Sequence, residues 1–283
     1  MSANPEQEST KEKGTWLTYR PEIKVHDCTI RDGGLMNDNR FDDAIVRAVY
    51  DCCVAAGVDY MELGYKNSKR QFSKDDFGPW KFCDEEDMRR IVGDNPTDLK
   101  LSIMADAEKS DYKEDILPAD ESVLDMVRVA TYIHQIPIAI DMINDAHDKG
   151  YEVTVNLMAV STVHENDLDE GLQVLAQTPV STIYLVDSFG AFYSEEVQSL
   201  TKKYMHACEG TGKQVGIHAH NNQQLAYANT IESIVLGANR LDATIAGLGR
   251  GAGNCSLELL IGFLHNPRYR LRPILDCIEK HIE

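Results

Sequence analysis

Two histidines separated by one residue form the first feature of this sequence that could do chemistry. His218 and His220 lie in the stretch GIHAHNN, at the end of a short run typical of a β-strand. Alternate side chains of a strand share a face, so both imidazoles project the same way. Such a pair can bind a metal ion, although core histidines held by backbone hydrogen bonds would show the same pattern. We favour a metal site because Asp32, after the first predicted strand, offers a carboxylate as a further ligand.

The segment DCTIRDGG places Arg31 and Asp32 where the first predicted strand opens into a loop. An arginine can bind a carboxylate through two nitrogens and stabilise a developing enolate. An aspartate can ligate a hard cation. The alternative is a structural Arg–Asp pair that braces the end of the fold. The two following glycines permit a sharp turn or a close approach to a ligand.

A glycine-rich loop, GLGRGAGN, occupies residues 247–254. Gly249 and Gly251 let such a loop wrap closely around a ligand, so we predict that both contact substrate. Asn254 ends the loop and offers a neutral oxygen as a weaker metal ligand. A glycine-rich loop is a weak signal by itself, and a simple tight turn is the alternative.

Two further carboxylates stand at strand ends. Glu62 lies in the otherwise apolar run MELGY, where an unpaired charge is costly to bury. We expect Glu62 to act as an acid or base, or to pair with Arg31. Asp187, in VDSFG, begins a polar turn and is predicted to contact substrate.

These residues need a scaffold that brings distant strand ends together. Short apolar runs alternate with longer amphipathic stretches such as 42–57 and 136–150, each of which ends in glycine, a common helix C-cap. Repeated strand and helix units imply a parallel sheet. Eight repeats favour an α/β fold of the (β/α)₈ TIM-barrel type over an open sheet of six or seven strands. The predicted strands are 22–28, 58–64, 99–105, 125–130, 151–159, 181–187, 213–220 and 240–246.

The barrel is predicted as a single catalytic domain over 21–283, preceded by a flexible tail over 1–20. The tail is polar, with few large apolar residues. No linker divides the remainder. In such barrels the chemistry lies at the C-terminal ends of the strands, which is where the residues above fall.

Charge and cysteine usage narrow the partners and the compartment. The 28 Lys and Arg residues against 46 Asp and Glu give a net charge of −18, which argues against nucleic acid and anionic membranes as partners. Seven cysteines without a CxxC pair indicate reduced thiols. No signal-peptide pattern and no apolar run long enough for a membrane span are visible, so we expect a cytoplasmic protein.

In combination, the motifs DCTIRDGG, MELGY, VDSFGA, HAHNN and GLGRGAGN resemble the DRE-TIM metallolyase superfamily. That superfamily includes 4-hydroxy-2-oxovalerate aldolase, hydroxymethylglutaryl-CoA lyase, isopropylmalate synthase and homocitrate synthase. The resemblance spans about residues 22–265, with the motifs in the right order. It is strongest to the aldolase branch, through VRVAT, VDSFGA and GLGRGAGN.

The resemblance implies a divalent cation, Mn²⁺ or Mg²⁺ and sometimes Zn²⁺. Its ligands would be Asp32, His218 and His220, with Asn254 a weaker one. Arg31 would hold the pyruvate enolate that forms when a carbon–carbon bond of a small anionic 2-oxo acid breaks. Barrels of this family often pair, so we expect a homodimer.

Two departures from the aldolases bear on the mechanism. Leu35 occupies the position of the histidine that is thought to act as their base. We predict His164, after the fifth strand, as the base, with Tyr65, Lys66 or a metal-bound hydroxide as alternatives. The helical extension that docks an acetaldehyde dehydrogenase has no counterpart before Glu283, so no such partner is expected.

The sequence therefore predicts a metal-dependent aldolase or lyase acting on a 4-hydroxy-2-oxo acid. An acetyl-CoA-dependent Claisen condensing enzyme, similar to isopropylmalate or homocitrate synthase, is the first alternative. A barrel that keeps the metal but performs no catalysis is the second, and Leu35 is the feature that favours it.

Overall fold

A computed structural model describes residues 19–282, and these form a closed barrel of eight parallel strands surrounded by helices. Each strand pairs with the next along the chain, and the last pairs with the first. The strands are β1 (Lys24–Asp27), β2 (Tyr60–Tyr65), β3 (Lys100–Asp106), β4 (Met126–Thr131), β5 (Glu152–Leu157), β6 (Thr182–Asp187), β7 (Gln214–Ala219) and β8 (Arg240–Ala243).

Closure of the sheet confirms the predicted TIM barrel. The register pairs Val25 of β1 with Leu241 of β8, so the sheet has no free edge and the open-sheet alternative is excluded. All eight predicted strands are present within two or three residues at most ends. The predicted tail at 1–20 lies almost wholly outside the described residues.

Helices follow the strands and cover the outside of the barrel. They are α1 (Thr29–Gly33), α2 (Asp43–Ala56), α3 (Glu85–Val92), α4 (Tyr112–Asp115), α5 (Ile136–Asp148), α6 (Glu165–Leu175), α7 (Ser194–Cys208), α8 (Ala226–Val235), α9 (Leu257–Leu264) and α10 (Leu271–Cys277). The predicted helices at 42–57 and 136–150 are α2 and α5. Gly57 ends α2 in the left-handed conformation, with a φ of 74°, as its C-cap role requires.

The core lies between the barrel and the helices. Strands such as β2 and β4 are buried along their whole length because helices cover one face and the barrel interior covers the other. The seven cysteines are all buried and unpaired. No helix within 19–282 is both long and apolar enough to cross a bilayer.

Because the strands are parallel, their C-terminal ends meet at one end of the barrel, which we call the mouth. The opposite end, where the strands begin, we call the floor. The segment 66–84 after β2 packs at the mouth around the fully buried indole of Trp80. The indole nitrogen donates a hydrogen bond to the carbonyl of Phe41 at 3.2 Å.

Candidate metal centre

Asp32, His218 and His220 converge at the mouth. Asp32 lies on α1 directly after β1, while the histidines lie at the end of β7. Oδ2 of Asp32 is 3.4 Å from Nε2 of each histidine. One ligand atom from each of the three buried residues lies within 4.8 Å of the others. The structure therefore brings the three predicted ligands together, because barrel closure leaves only β8 between β1 and β7.

Hydrogen bonds on the far side of each ring orient the two imidazoles. Nδ1 of His220 donates to the carbonyl of Asp187 at 2.8 Å, which leaves Nε2 with a lone pair. Nδ1 of His218 lies 2.9 Å from Oδ2 of Asp242 on β8. A carboxylate behind a histidine fixes its ring and raises its basicity, as in many metal sites.

The donor set fits a divalent cation. Both carboxylate oxygens of Asp32, Nε2 of His218 and Oδ1 of Asn254 are buried without a hydrogen-bond partner among the described residues. Such groups are costly to leave unpaired, and one cation among them would satisfy several at once. Two imidazoles with carboxylate and amide oxygens suit first-row divalent metals and Mg²⁺.

The glycine-rich loop reaches this centre because Gly249 has no side chain. A Cβ there would lie 2.0 Å from Nδ2 of Asn254 and 3.3 Å from Oδ2 of Asp32. Asn254 donates from Nδ2 to the carbonyl of Leu248 at 3.0 Å, which separates its amide nitrogen from its unpaired oxygen. Asn254 also forms a β-bridge with His220. The loop thus supplies an oxygen to the predicted ligand set.

Electrostatics keep Asp32 ionised and make His218 more basic than usual. Burial acts to raise the pKa of Asp32, but the charge of Arg31 and the two histidines hold it well below the usual range. Burial acts to lower the pKa of His218, while the nearby carboxylates of Asp242 and Asp32 raise it above the usual value. The carboxylates of Asp32 and Asp242 therefore stay ionised beside His218. The imidazole of His218 attracts a proton in this environment, and a bound cation would take the place of that proton.

Arg31 lies beside the ligands and keeps one donor free. Its Nε donates to Oε2 of Glu62 at 2.7 Å, and its Nη1 lies 3.2 Å from Oδ1 of Asp32. Its Nη2 is buried without a partner among the described residues, and the side chain lines the cavity above the centre. Glu62 is fully buried and acts as the acceptor that positions Arg31.

A second arginine, which the sequence reasoning missed, completes the network. Arg128 on β4 is fully buried and donates to Oε2 of Glu62 at 3.0 Å and to Oδ2 of Asp242 at 2.6 Å. It therefore connects Arg31 to His218 through two carboxylates. Arg128 and Asp242 are charged residues within apolar strand runs, the same signal that identified Glu62.

The charges of this network leave it one short of neutrality. Two arginines face three carboxylates, those of Asp32, Glu62 and Asp242, so the five side chains sum to one negative charge. A divalent cation would change that sum to one positive charge. The centre with its metal then favours an anion, and an enolate or a carboxylate is the matching charge.

A cavity of about 210 Å³ opens above the centre. Arg31, Asp32 and the two histidines form one side of it. Tyr65 and Met104 form part of its apolar wall. Leu35 lines it and is 38% exposed, so the position that carries a histidine in the aldolases faces the cavity here with an alkyl side chain.

Several polar residues line the same cavity and were not singled out from the sequence. They are Lys81, Asp106, Lys109, Tyr132, Asn156, Ser188 and Arg250. Arg250 belongs to the glycine-rich loop and donates to the carbonyl of Ser188 at 3.3 Å. Asp106 ends β3, and burial raises its pKa.

Other predicted site residues lie away from the cavity lining. His164 is exposed and precedes α6 as its N-terminal cap residue. The carboxylate of Asp187 turns back onto its own loop and accepts from the backbone nitrogens of Ala191 and Phe192, at 3.0 and 3.2 Å. Lys66 is buried and donates to the carbonyl of Cys83 at 2.8 Å.

Gly251 likewise contacts another loop, not the cavity. It has a φ of 65°, and a Cβ there would lie 2.7 Å from Oδ1 of Asn222. That oxygen accepts from the backbone nitrogen of Ala252 at 3.1 Å. Gly251 therefore allows the loop to pack against the segment after β7, and of the two predicted glycines only Gly249 approaches the centre.

Comparison with known proteins agrees with this geometry. The HMGL-like family model matches residues 22–277. An oxaloacetate decarboxylase of Mycobacterium tuberculosis is 31% identical over 92% of this chain and 75% of its own length. A 4-hydroxy-2-oxovalerate aldolase of Pelotomaculum thermopropionicum is 30% identical over 89% of this chain and 72% of its own. The hydroxymethylglutaryl-CoA lyase structure from Pseudomonas aeruginosa shares the fold at 19% identity, with a TM-score of 0.73 over 92% of each chain.

Proposed function

The chain belongs to the HMGL-like family, in agreement with its resemblance to the DRE-TIM metallolyases, and we propose that it is a divalent-metal-dependent carbon–carbon lyase. It would release a pyruvate enolate from a 2-oxo acid. The observation that carries this proposal is the set of unpaired ligand atoms on Asp32, His218 and Asn254 beside the unpaired Nη2 of Arg31. Ligands for a cation and a donor for an oxyanion therefore line one cavity at the mouth of the barrel.

The residues divide the work between them. Asp32, His218, His220 and Asn254 would hold a Mn²⁺ or Mg²⁺ ion, which supplies Lewis acidity and a template for the 2-oxo and carboxylate oxygens. Arg31 donates to the oxygen that gains charge as the bond breaks. Glu62 and Arg128 hold Arg31 in place, so the donor is already oriented before substrate arrives.

Cleavage of a 4-hydroxy-2-oxo acid needs a base for the 4-hydroxyl proton, and Leu35 cannot serve. We propose Asp106, because it lines the cavity and burial raises its pKa. Its carboxylate would take the hydroxyl proton while the C3–C4 bond breaks. The aldehyde leaves, the bonding electrons pass to the enolate oxygen, and a proton at C3 then gives pyruvate. His164 remains the prediction from sequence, but it is exposed and is not among the residues that line the cavity.

Decarboxylation of a 2-oxo dicarboxylic acid is the second candidate, and Leu35 is the observation that favours it. Loss of CO₂ leaves the electrons of the C3–C4 bond in the same enolate without removal of any hydroxyl proton. Leu35 is then a suitable apolar neighbour for a departing neutral molecule. One of the relatives with 31% identity is an oxaloacetate decarboxylase.

The test is a screen for pyruvate release, coupled to lactate dehydrogenase, over 4-hydroxy-2-oxo acids and oxaloacetate with and without Mn²⁺. We expect metal-dependent pyruvate from one of these classes, with aldehyde or CO₂ as the co-product. Because Mn²⁺ decarboxylates oxaloacetate by itself, the Asp32→Asn variant at the same metal concentration is the control.

Each other outcome points to an alternative. Turnover only with acetyl-CoA would indicate a Claisen condensing enzyme, and bound metal with no turnover on any substrate would indicate a barrel without catalysis. Either result would contradict the proposal. We also propose a cytoplasmic homodimer that acts on a small anionic substrate.

A further inference from the structure

We propose that Lys81, supported by Lys109, forms a second anion-binding subsite that takes a carboxylate or phosphate at the far end of the substrate. The inference rests on the proposed function, because it names which 2-oxo acids the cavity accepts. Lys81 lies outside the metal centre, and the surroundings of its amine carry the inference.

Lys81 holds its charge against three aromatic rings. Its Nζ lies 4.8 Å from the ring centroid of Tyr65, 4.6 Å from that of Phe72 and 5.1 Å from that of Phe77. The residue is only 8% exposed and lines the cavity. Ring faces attract a cation but accept no strong hydrogen bond, so three N–H donors of the ammonium still need acceptors.

No carboxylate compensates this ammonium directly. Among residues 19–282, Lys81 has no ion pair within 4 Å and its side chain has no hydrogen-bond acceptor. Lys74, also placed over a ring, shows the usual pattern instead, with Asp84 at 2.8 Å. Burial lowers the pKa of Lys81, with Asp106 acting against that shift and Lys109 adding to it. A lysine that is only 8% exposed, that lines the cavity and whose amine has no partner among the described residues can bind an anion there.

Lys81 and Lys109 line the cavity on the side formed by the segments after β2 and β3. Lys81 ends a short turn, Pro79–Lys81, in the segment after β2, and Lys109 lies just after β3. In a closed ring of eight strands β3 lies opposite β7, which carries the metal-binding histidines. A substrate whose 2-oxo acid group lies at the centre therefore extends toward the two lysines.

Hydrogen bonds hold the backbone that carries the two lysines. The carbonyl of Lys81 accepts from the backbone nitrogen of Asn67 at 3.1 Å, and its own nitrogen donates to the carbonyl of Gly78. The carbonyl of Lys109 accepts from the nitrogen of Ser68 at 2.8 Å. One segment thus ties both lysines to the same rim. A preorganised cation loses little freedom on binding, which favours recognition over simple screening.

The chain as a whole would repel a doubly charged substrate, since its net charge is −18. Lys81 and Lys109 reverse that field locally at the entrance. Asp106 lines the same cavity, and its carboxylate interacts electrostatically with Arg31 as well as with the two lysines. The subsite thus selects 2-oxo acids with a second negative group and disfavours those with an alkyl tail.

Calorimetric titration of the Mn²⁺-loaded protein tests this without turnover. The matched ligands are 2-oxopentanedioate, which ends in a carboxylate, and 2-oxopentanoate, which ends in a methyl group. We expect the dianion to bind about tenfold more tightly or better, as a charge-assisted hydrogen bond in a cavity provides. In Lys81→Met, which keeps the apolar stem against the rings, the difference should vanish while 2-oxopentanoate binds as before.

The control is Lys74→Met, an exposed lysine over a ring, which should keep the wild-type difference. A phosphonate-tailed 2-oxo acid of similar length separates the two sources of charge: whichever tail binds more tightly identifies carboxylate or phosphate. Equal affinities of wild type and Lys81→Met for the dianion would overturn the subsite. Lys81→Gln provides the same comparison if the methionine variant does not fold.

Failure of the subsite is distinguishable from failure of the proposed function. If the dianion preference is present and depends on Lys81, but no 2-oxo acid releases pyruvate, the subsite stands and the lyase proposal falls. If pyruvate is released equally from charged and alkyl-tailed substrates by both proteins, the lyase stands and the subsite falls.

Discussion

The floor and the mouth of the barrel both contain networks of arginine and carboxylate side chains, but the two networks differ in how fully they are paired. At the floor, Arg240, Glu152 and Tyr60 begin their strands and form a closed network. Arg240 donates to the Tyr60 hydroxyl at 3.0 Å, and that hydroxyl donates to Glu152 at 3.0 Å. Gln214 and Ser181 supply the remaining partners. None of these side chains retains a buried unpaired polar atom.

At the mouth, arginines and carboxylates also pair, but several of their polar atoms have no hydrogen-bond partner within residues 19–282. Asp32, Glu62 and Arg31 all keep a buried atom without a partner among the described residues. Since unpaired buried groups cost free energy, a network that keeps several of them in one place is arranged for something that binds there. The two charged networks therefore have similar residue types. They differ in whether every buried polar atom has a hydrogen-bond partner.

The largest effect is expected from His218→Ala and His220→Ala. Each removes a ligand at the end of β7, above the packed layers of the barrel, so metal and activity should be lost while the fold survives. Elemental analysis after gel filtration measures the metal, with the exposed His206→Ala as the control. If either variant still binds one equivalent of metal, the substituted histidine is not a required ligand and the assignment is wrong.

Arg31→Lys should lower kcat by about 10²–10³ although the charge is kept. Lysine cannot donate to Glu62 and to an enolate oxygen from one planar group. Steady-state kinetics of pyruvate release measures the change. A variant within a few-fold of wild type would make Arg31 a structural brace like Arg240 at the floor.

Asp106→Asn should reduce aldol cleavage about 10²-fold and remove the acidic limb of the pH profile. Burial raises the pKa of Asp106, and the base must be unprotonated, so kcat/KM of the wild type should fall as the pH drops through that raised value. His164→Ala is the comparison and should keep the wild-type profile. If the limb disappears in His164→Ala and persists in Asp106→Asn, the base is the residue named from sequence.

Asp242→Asn should weaken metal affinity about 10–100-fold without abolishing it. The variant removes the carboxylate that orients His218 and holds its basicity, but leaves the ligands themselves. Competition with a fluorescent chelator measures the affinity. Unchanged affinity would mean that Asp242 only balances the charge of Arg128.

The smallest effect on activity is expected at the floor. Glu152→Gln should lower the free energy of unfolding by about 1–3 kcal/mol, because Arg240 and Tyr60 lose a charged acceptor, and leave kcat unchanged. Urea denaturation and kinetics on the same samples measure both. A Glu152→Gln variant with a clearly lower kcat would remove the distinction between the two ends.

Sequence periodicity and spacing were sufficient to predict the scaffold and to identify three residues that the scaffold brings together. Eight apolar runs with helices between them determine a barrel, and a barrel brings Asp32 to His218 and His220 whatever its loops do. Glu62 was identifiable because a charge in a buried strand needs a partner. Arg128 carries that same signal and could have been found with it.

Residues in loops were harder to predict, because their side chains can be satisfied locally. The carboxylate of Asp187 caps its own turn, and that choice depends on backbone geometry that no motif encodes. His164 precedes a helix and is not among the residues that line the cavity. Lys81 became visible only once three rings from one folded segment surrounded its amine.

The central claim is that the mouth stabilises a pyruvate enolate through Arg31 and a bound divalent cation. Exchange of the methyl protons of pyruvate in D₂O, followed by proton NMR with the Mg²⁺-loaded protein, tests it without knowledge of the second product. The account predicts exchange by the wild type that disappears on chelation of the metal and falls about 10²–10³-fold in Arg31→Lys. Metal-loaded wild type that exchanges no faster than Arg31→Lys would contradict it.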